Sequence, residues 1–327
     1  MTAEQTVQCA ICPKACVIAP GQSGECRVRI NLDGVLTAVT YGFPCAVHVD
    51  PVEKKPLFHF LPGSSILSLA TVGCNLHCKN CQNWEISQMN PERSQAYKLP
   101  PEEVVALAEK QRCASLAFTY TDPIVFYEYA LDTFRLARER GIRNVLVTAG
   151  YVNPGPWKEL CAWTDAANID LKAFSDTFYR EVCSATLNPI LRALVLAKAS
   201  GVALEVTNLV IPTLNDSDRM LTDLCRWIFK NLGADTPLHF SRFWPNYQMK
   251  NLPPTPEGTM LRARSIAHAE GLHYVYIGNV ACENGATTFC PACGESLLER
   301  RGYQIVLDRI TGGACPSCGK KIAGVWQ

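Results

Sequence analysis

Six short apolar runs recur along the middle of the chain, at Ile66–Thr71, Ser115–Tyr120, Asn144–Thr148, Asn168–Leu171, Ala203–Val210 and Leu238–Ser241. Near-continuous apolar runs of this length are what strands buried on both faces of a parallel sheet show. Helix-like stretches stand between them, at Glu102–Gln111, Ile124–Arg140, Ile190–Ser200 and Asp218–Lys230. The punctuation agrees with that reading. Asn188 before Pro189 predicts an N-cap with proline at the first helical position, and Gly141 and Gly201 stand where helices should stop. Strands alternating with helices predict βα units and an all-parallel sheet, open or closed as a barrel, with chemistry gathered at the C-terminal ends of the strands.

Cysteine is the second constraint. Seventeen cysteines occur in 327 residues, and eleven of them fall into three groups: Cys9, Cys12, Cys16 and Cys26; Cys74, Cys78 and Cys81; and Cys290, Cys293, Cys315 and Cys318. No apolar stretch approaches membrane-spanning length, and the start (MTAEQTVQC) lacks the basic-then-apolar order of a signal peptide, so a cytoplasmic protein is expected. In a reducing compartment, tightly spaced thiols are metal ligands or catalysts rather than disulfides. The other six, Cys45, Cys113, Cys161, Cys183, Cys225 and Cys282, read as small buried hydrophobes. Thirty-one basic residues against thirty acidic ones leave a net charge of +1, which argues against a chain built to grip nucleic acid or an anionic membrane.

These features divide the chain in three. Residues 1–60 form a Cys-rich module followed by β-like alternation around Gly34–Tyr41 and a Pro-punctuated linker (DPVEKKPLFHFLPG). Residues 61–281 hold the strand–helix rhythm. Residues 282–327 turn short, Gly-rich and Cys-paired. Within the linker, Glu53, Lys54, Lys55 and His59 could reach the barrel mouth or simply be solvated.

Cys74-x3-Cys78-x2-Cys81 follows directly on the first strand, at its C-terminal end. Three thiolates can hold three irons of a [4Fe–4S] cube and leave the fourth without a protein ligand. An open coordination site is what lets a metal centre bind a substrate or cofactor directly. The alternative is a zinc site that borrows a fourth ligand such as His77. Cys290-Pro-Ala-Cys293 and Cys315-Pro-Ser-Cys318, each followed by glycine, are the two knuckles of a rubredoxin-like zinc ribbon. Its few basic residues, Arg300, Arg301, Lys320 and Lys321, are offset by Glu295 and Glu299, which favours a clamp on the barrel or a protein dock over a nucleic-acid grip. Cys9, Cys12, Cys16 and Cys26 supply four thiolates within eighteen residues, which suits either zinc or a second, fully ligated iron–sulfur cluster.

The run TVGCNLHCKNCQNWEISQ resembles the cluster motif of radical S-adenosylmethionine (radical SAM) enzymes. More narrowly, CAICPKACVIAPGQSGECRVRINLDG, DPVEKKPLFHF, FTYTDP, VTAGYVNP, NIDLKAF, VTNLVIPTLNDS, PLHFSRFWPNYQM and YVYIGNV resemble, in order, the branch that holds glycyl-radical-enzyme activases and the AmmeMemoRadiSam system proteins. The resemblance implies a partial (β/α)6 TIM-like barrel with a [4Fe–4S] cluster on Cys74, Cys78 and Cys81 and S-adenosylmethionine chelated to its open iron. It further implies that Thr119, Tyr120, Thr121 and Asp122 meet the methionine amino group, with Asp122 one methylene shorter than the family's Glu. Lys172 would contact the methionine carboxylate, Asp170 would position Lys172 or the ribose, and His239 would lie near the cofactor. Asp170 and Lys172 point to one side of their strand by alternation. Thr148 and Asn208 are further strand-end candidates. Many members carry an aromatic residue before the third cysteine where this chain has Asn80, and Trp84 is the nearby aromatic.

The expected activity is reductive cleavage of S-adenosylmethionine followed by hydrogen abstraction from a substrate. The alternatives are activation of a glycyl-radical enzyme and, from another class, a non-catalytic zinc-binding scaffold or RNA-binding protein. An electron donor such as flavodoxin or ferredoxin, and a protein substrate or AMMECR-type or Memo-type pathway partners, are the implied associations.

Overall fold

The computed structural model describes residues 5–327. Its strands, in chain order, are β1 Val7–Gln8, β2 Val17–Ile18, β3 Arg29–Leu32, β4 Val35–Ala38, β5 Ala46–Pro51, β6 Ser65–Ala70, β7 Ser115–Phe118, β8 Arg143–Thr148, β9 Ala166–Asp170, β10 Ala203–Val210, β11 Leu238–Arg242, β12 Val275–Gly278, β13 Thr288–Phe289, β14 Ser296–Arg301 and β15 Gln304–Asp308. One sheet dominates, with eight strands in the order β12-β11-β10-β9-β8-β7-β6-β5. The pairs from β6 to β12 are all parallel, and its two edge strands are not paired with each other. The six expected runs are β6 to β11. The fold is therefore α/β with an open, barrel-like parallel sheet.

The sheet departs from the expected six parallel strands at both edges. At one edge, β5 runs antiparallel to β6 over six residues, Ala46↔Ala70 to Pro51↔Ser65. At the other, β12 adds a seventh parallel strand, with Leu238↔Val275 to Ser241↔Gly278 in register. Neither edge announces itself as a buried run, because β5 carries His48 and Asp50 and β12 is only four residues long.

Helices cover the outer face at Pro101–Lys110, Tyr127–Glu139, Pro154–Cys161, Leu187–Ala199, Asp218–Leu232 and Glu257–Ala269. The helix expected to be capped by Asn188 begins earlier, after Thr186, so Pro189 is its third residue. Its first free N–H, that of Leu187, is taken by the Asp176 carboxylate at 3.0 Å, a remote cap that local sequence does not reveal. Gly141 and Gly201 do stop their helices, at φ of +70° and +80°, where a side chain would be strained.

The segment expected to be a linker is instead the plug of the sheet. Val52, Leu57 and Phe60 are fully buried against Ile66, Ala117, Val145 and Ala166, small or slim inward residues that leave room for them. Two of its charges are buried with partners: Lys55 Nζ donates to Asp50 at 2.6 Å, and Gly63 N–H donates to Glu53 at 2.8 Å. The Pro56 carbonyl accepts from Asn168 Nδ2 of β9 at 2.8 Å, and the His59 N–H donates to Glu205 of β10 at 2.7 Å. Polar composition misleads here because the barrel interior supplies a partner for each group.

β13, β14 and β15 form a three-stranded antiparallel sheet that carries the last four cysteines. It is tied to the plug. Arg300, fully buried at its side chain, donates to the Phe58 carbonyl at 2.6 Å and stands over the Phe58 ring at 4.1 Å. Val325 exchanges backbone hydrogen bonds of 2.7 Å with His59 and Leu61. Arg300 is thus spent inside the molecule and is not part of a basic surface.

Candidate active site at the C-terminal ends of the strands

A cavity of about 1260 Å³, its open mouth included, lies at the C-terminal ends of the sheet strands. Each strand contributes from its end or from the turn after it: Cys74, Cys78 and Cys81 after β6, Thr119–Asp122 after β7, Thr148 from β8, Asp170 and Lys172 at the end of β9, Thr207 and Leu209 from β10, Ser241 from β11 and Asn279 after β12. Parallel strands of similar length end together, so residues more than two hundred positions apart meet at one rim.

The three cysteines are carried by a loop fixed from several sides. Gly73, at φ +91°, turns the chain into it, and a Cβ there would stand 2.6 Å from the Cys26 carbonyl. The Asn75 side chain donates to the Tyr151 carbonyl at 2.8 Å, and the His77 and Lys79 N–H groups donate to the Cys183 and Val182 carbonyls. Their environments differ. Burial pushes the Cys74 thiol well up, with Asp122 adding to the effect, and burial raises Cys81 as well. Cys78 goes the other way, because the Cys183 thiol hydrogen-bonds to it and Lys172 lies close, which together outweigh burial. Cys183 is thus not merely a small hydrophobe. Its position in the chain gives no hint of this, since only the one-turn π-helix Tyr179–Cys183 folds it back onto Cys78.

Lys172 Nζ and Asp170 Oδ2 pair at 2.7 Å at the cavity wall. Burial alone would lower the Lys172 ammonium, but Asp170 and the Cys78 and Cys183 sulfurs outweigh it and raise it well above the usual range. The Lys172 backbone is held in place by Asn208 Nδ2 and Asn215 Nδ2, which donate to its carbonyl at 3.1 and 2.6 Å. Asp122 is buried and accepts from Ile124 N–H at 3.1 Å, Thr148 Oγ1 at 2.9 Å and Ala149 N–H at 3.0 Å. Desolvation raises its carboxyl in spite of those three donors. Asp122 therefore caps the turn after β7 and ties it to the end of β8 while also lining the cavity.

Thr119 is buried, and the Thr121 hydroxyl donates to the Thr71 carbonyl at 2.9 Å. Tyr120 sits at φ +63°, and its hydroxyl donates to Asp50 at 2.6 Å. Its carbonyl accepts from Asn83 of the cysteine loop at 2.7 Å. Asp50, Lys54, Lys55 and Tyr120 form one network. Burial opposes ionisation of Asp50, but hydrogen bonds from the two lysines and the tyrosine prevail and hold its carboxyl far below the usual range. Lys54 and Lys55 thereby reach the cavity wall, whereas Glu53 and His59 are buried elsewhere.

His239 is not brought to this cavity. It lines an adjoining one, where its Nε2 meets Glu205 at 2.6 Å and its ring stacks on Tyr276 at 5.1 Å. The two cavities share Lys54, Pro56, Thr207, Ser241 and Asn279 along their common wall. Trp84 stacks on Tyr247 at 5.0 Å, 9° from parallel, and is not among the cavity-lining residues. Asn80 does line the cavity, and its buried Oδ1 has no hydrogen-bond partner among the described residues. An acceptor orphaned in this way beside three cysteines fits a ligand that brings an N–H or O–H donor.

Among the described residues, only Cys290, Cys293, Cys315 and Cys318 bring their sulfurs all within 4.8 Å of one another. The Cys290–Cys318 and Cys293–Cys315 separations are 3.6 and 3.7 Å. Tetrahedral zinc at a Zn–S distance of about 2.3 Å sets neighbouring thiolates about 3.8 Å apart, so this donor set fits zinc. The Ala292 and Cys293 N–H groups, against the effect of burial, bring the Cys290 thiol down to about 7. The Cys74 trio is spread more widely than that, as sulfurs bound to separate irons of one cube must be.

Among the described residues, no single helix is long and apolar enough to cross a membrane. The sequence profile of the radical SAM superfamily matches residues 68–225, a span from β6 to the helix after β10. An uncharacterised protein of Methanocaldococcus jannaschii is 46% identical over 321 residues, covering 98% of this chain and 96% of its own. The pyruvate formate-lyase-activating enzyme of Clostridium pasteurianum is 25% identical over 166 residues, covering 49% of this chain and 67% of its own. A radical SAM methyltransferase from Sphaerobacter thermophilus shares the fold, with a TM-score of 0.52 at 16% identity over 67% of each chain. The loop cysteines, the strand-end cavity and these likenesses agree: the chain belongs to the radical SAM superfamily.

Proposed function

We propose that the chain is a radical SAM enzyme that binds a [4Fe–4S] cluster through Cys74, Cys78 and Cys81 and S-adenosylmethionine in the adjoining cavity. When bound, that pair supplies one-electron cleavage of a carbon–sulfur bond and a 5′-deoxyadenosyl radical that takes hydrogen from a substrate. The observation that carries this reading is the convergence of the three cysteines, Asp122 and the Lys172–Asp170 pair on one cavity. In this reading Lys172 holds the methionine carboxylate, and Asp170 keeps the ammonium aimed at it. Thr119–Asp122 bounds the amino-group side, and Asn80 accepts a hydrogen bond from the adenine. The Lys54–Lys55–Asp50–Tyr120 network closes the wall from the plug side and limits water at the reacting centre.

A flavodoxin- or ferredoxin-type donor would supply the electron, and zinc would occupy the ribbon. The similarity to an activating enzyme over half of the chain favours a protein substrate as the second reading, with hydrogen taken from a backbone glycine.

Anaerobically reconstituted protein should give a [4Fe–4S]⁺ paramagnetic signal on reduction that changes when S-adenosylmethionine is added. Cys74→Ala/Cys78→Ala/Cys81→Ala should abolish the cofactor-responsive signal. Its survival in that variant would overturn the assignment.

A further inference from the structure

Cys9, Cys12, Cys16 and Cys26 all line one cavity of about 360 Å³, open mouth included, between the N-terminal hairpin and the Cys74 loop. The β1–β2 pairing and the Cys9 N–H to Cys16 carbonyl bond of 2.9 Å set the first three on one turn, and the chain returns before β3 to deliver Cys26. Yet these four sulfurs do not close to within 4.8 Å of one another, as the ribbon's four do in the same molecule. Four thiolates set wider apart than the ligands of a single ion are the donor set of a cube in which each sulfur takes a separate iron.

The charge of the site points the same way. Arg29 is 4% exposed and lines the cavity, with Nη2 on Glu128 and Nε without a partner among the described residues. Lys14 and Glu25, paired with each other at 2.5 Å, also line it. A buried guanidinium with an N–H left over beside four sulfurs suits an anionic occupant.

The cavity also touches the catalytic loop on either side of one ligand. The Cys26 carbonyl abuts Gly73, and Asn75 lines the cavity together with Cys12. Cys74 lies between these two residues. From the cavity to Cys74, therefore, the path is one side chain and one peptide.

We infer that Cys9, Cys12, Cys16 and Cys26 hold a second, fully ligated [4Fe–4S] cluster that relays single electrons through Asn75 to the cluster on Cys74, Cys78 and Cys81. With no open iron it binds no substrate. A flavodoxin- or ferredoxin-class protein gives it one electron, taking it from the 2+ to the 1+ state. It returns to 2+ as it reduces the catalytic cluster from 2+ to 1+, and no bond is made or broken. The relay rests on the function proposed above, whereas the ligation does not.

Metal analysis of the intact, anaerobically reconstituted protein should give about eight irons, about eight sulfides and about one zinc per chain. Cys74→Ala/Cys78→Ala/Cys81→Ala should keep about four irons, with a [4Fe–4S]⁺ signal indifferent to S-adenosylmethionine. Cys12→Ala/Cys26→Ala should keep the cofactor-responsive signal and its reduction by dithionite, but reduced flavodoxin should reduce it at least about tenfold more slowly.

About four irons with about two zincs in the intact protein overturns the ligation. If the double variant misfolds, that count on the unmutated protein still decides it. Unchanged reduction by flavodoxin in the double variant overturns the relay. Two clusters in the intact protein, neither responsive to S-adenosylmethionine, would sink the proposed function and leave the N-terminal cluster standing.

Discussion

Single residues set the electrostatics of the cavity. Lys172 is the clearest case, because its ammonium is raised by Asp170 and by two nearby sulfurs despite burial. A charge-assisted hydrogen bond to the cofactor carboxylate would contribute about 1.5–3 kcal/mol. Lys172→Met keeps the stem and removes the charge, so affinity for S-adenosylmethionine should fall about 10- to 150-fold with the cluster intact. Equilibrium binding on the anaerobic variant measures it, and unchanged affinity would make the Asp170 pair purely structural. That Asp170 and Lys172 share a side was legible from strand alternation. Asn208 and Asn215, which clamp the Lys172 carbonyl, were not legible in that role, because their partner is a backbone group some forty residues away.

At the scale of elements, the plug between β5 and β6 has the largest effect. His59 Nδ1 lies 2.6 Å from the Ala323 carbonyl, which can only accept, so Nδ1 carries the proton and Nε2 accepts from the Tyr276 hydroxyl at 2.6 Å. Complete burial lowers its pKa to about 4. An unfolded histidine titrates near 6.5, so the unfolded chain takes up the proton first as pH falls. The stability this group contributes is present above pH 6.5 and is lost toward pH 4, about 2 kcal/mol of it between pH 7 and pH 5. Denaturant unfolding at the two pH values should show this loss in the natural protein and a correspondingly smaller one in His59→Gln. An equal loss in both would place the titration elsewhere. Proline punctuation and charge made this segment read as a linker, since local composition carries no information about a barrel interior that pairs its charges.

Across the whole molecule, the ribbon and the sheet are joined through that plug. Arg300, Val325 and Ala323 all bond to residues 58–61 rather than to the cavity wall. Cys293→Ser/Cys318→Ser should therefore lower thermal stability and remove about one zinc per chain, while the folded fraction keeps the cofactor-responsive cluster signal. Loss of that signal in well-folded protein would make the ribbon part of the active site.

The sequence by itself determined the α/β class, the six inner parallel strands, the four-cysteine ribbon and the three-cysteine loop at the end of the first of those strands. Each of these is written in local spacing: apolar runs of strand length, glycine at helix ends, and thiols three or four positions apart. Tertiary structure decided what local spacing cannot encode. It added the antiparallel edge β5 and the short β12, turned the linker into a plug, sent His239 to Glu205 in the adjoining cavity, and folded Cys183 onto Cys78. The physical reason is common to all of these. A polar or titratable side chain takes its role from the partner that burial gives it, and that partner lies far along the chain.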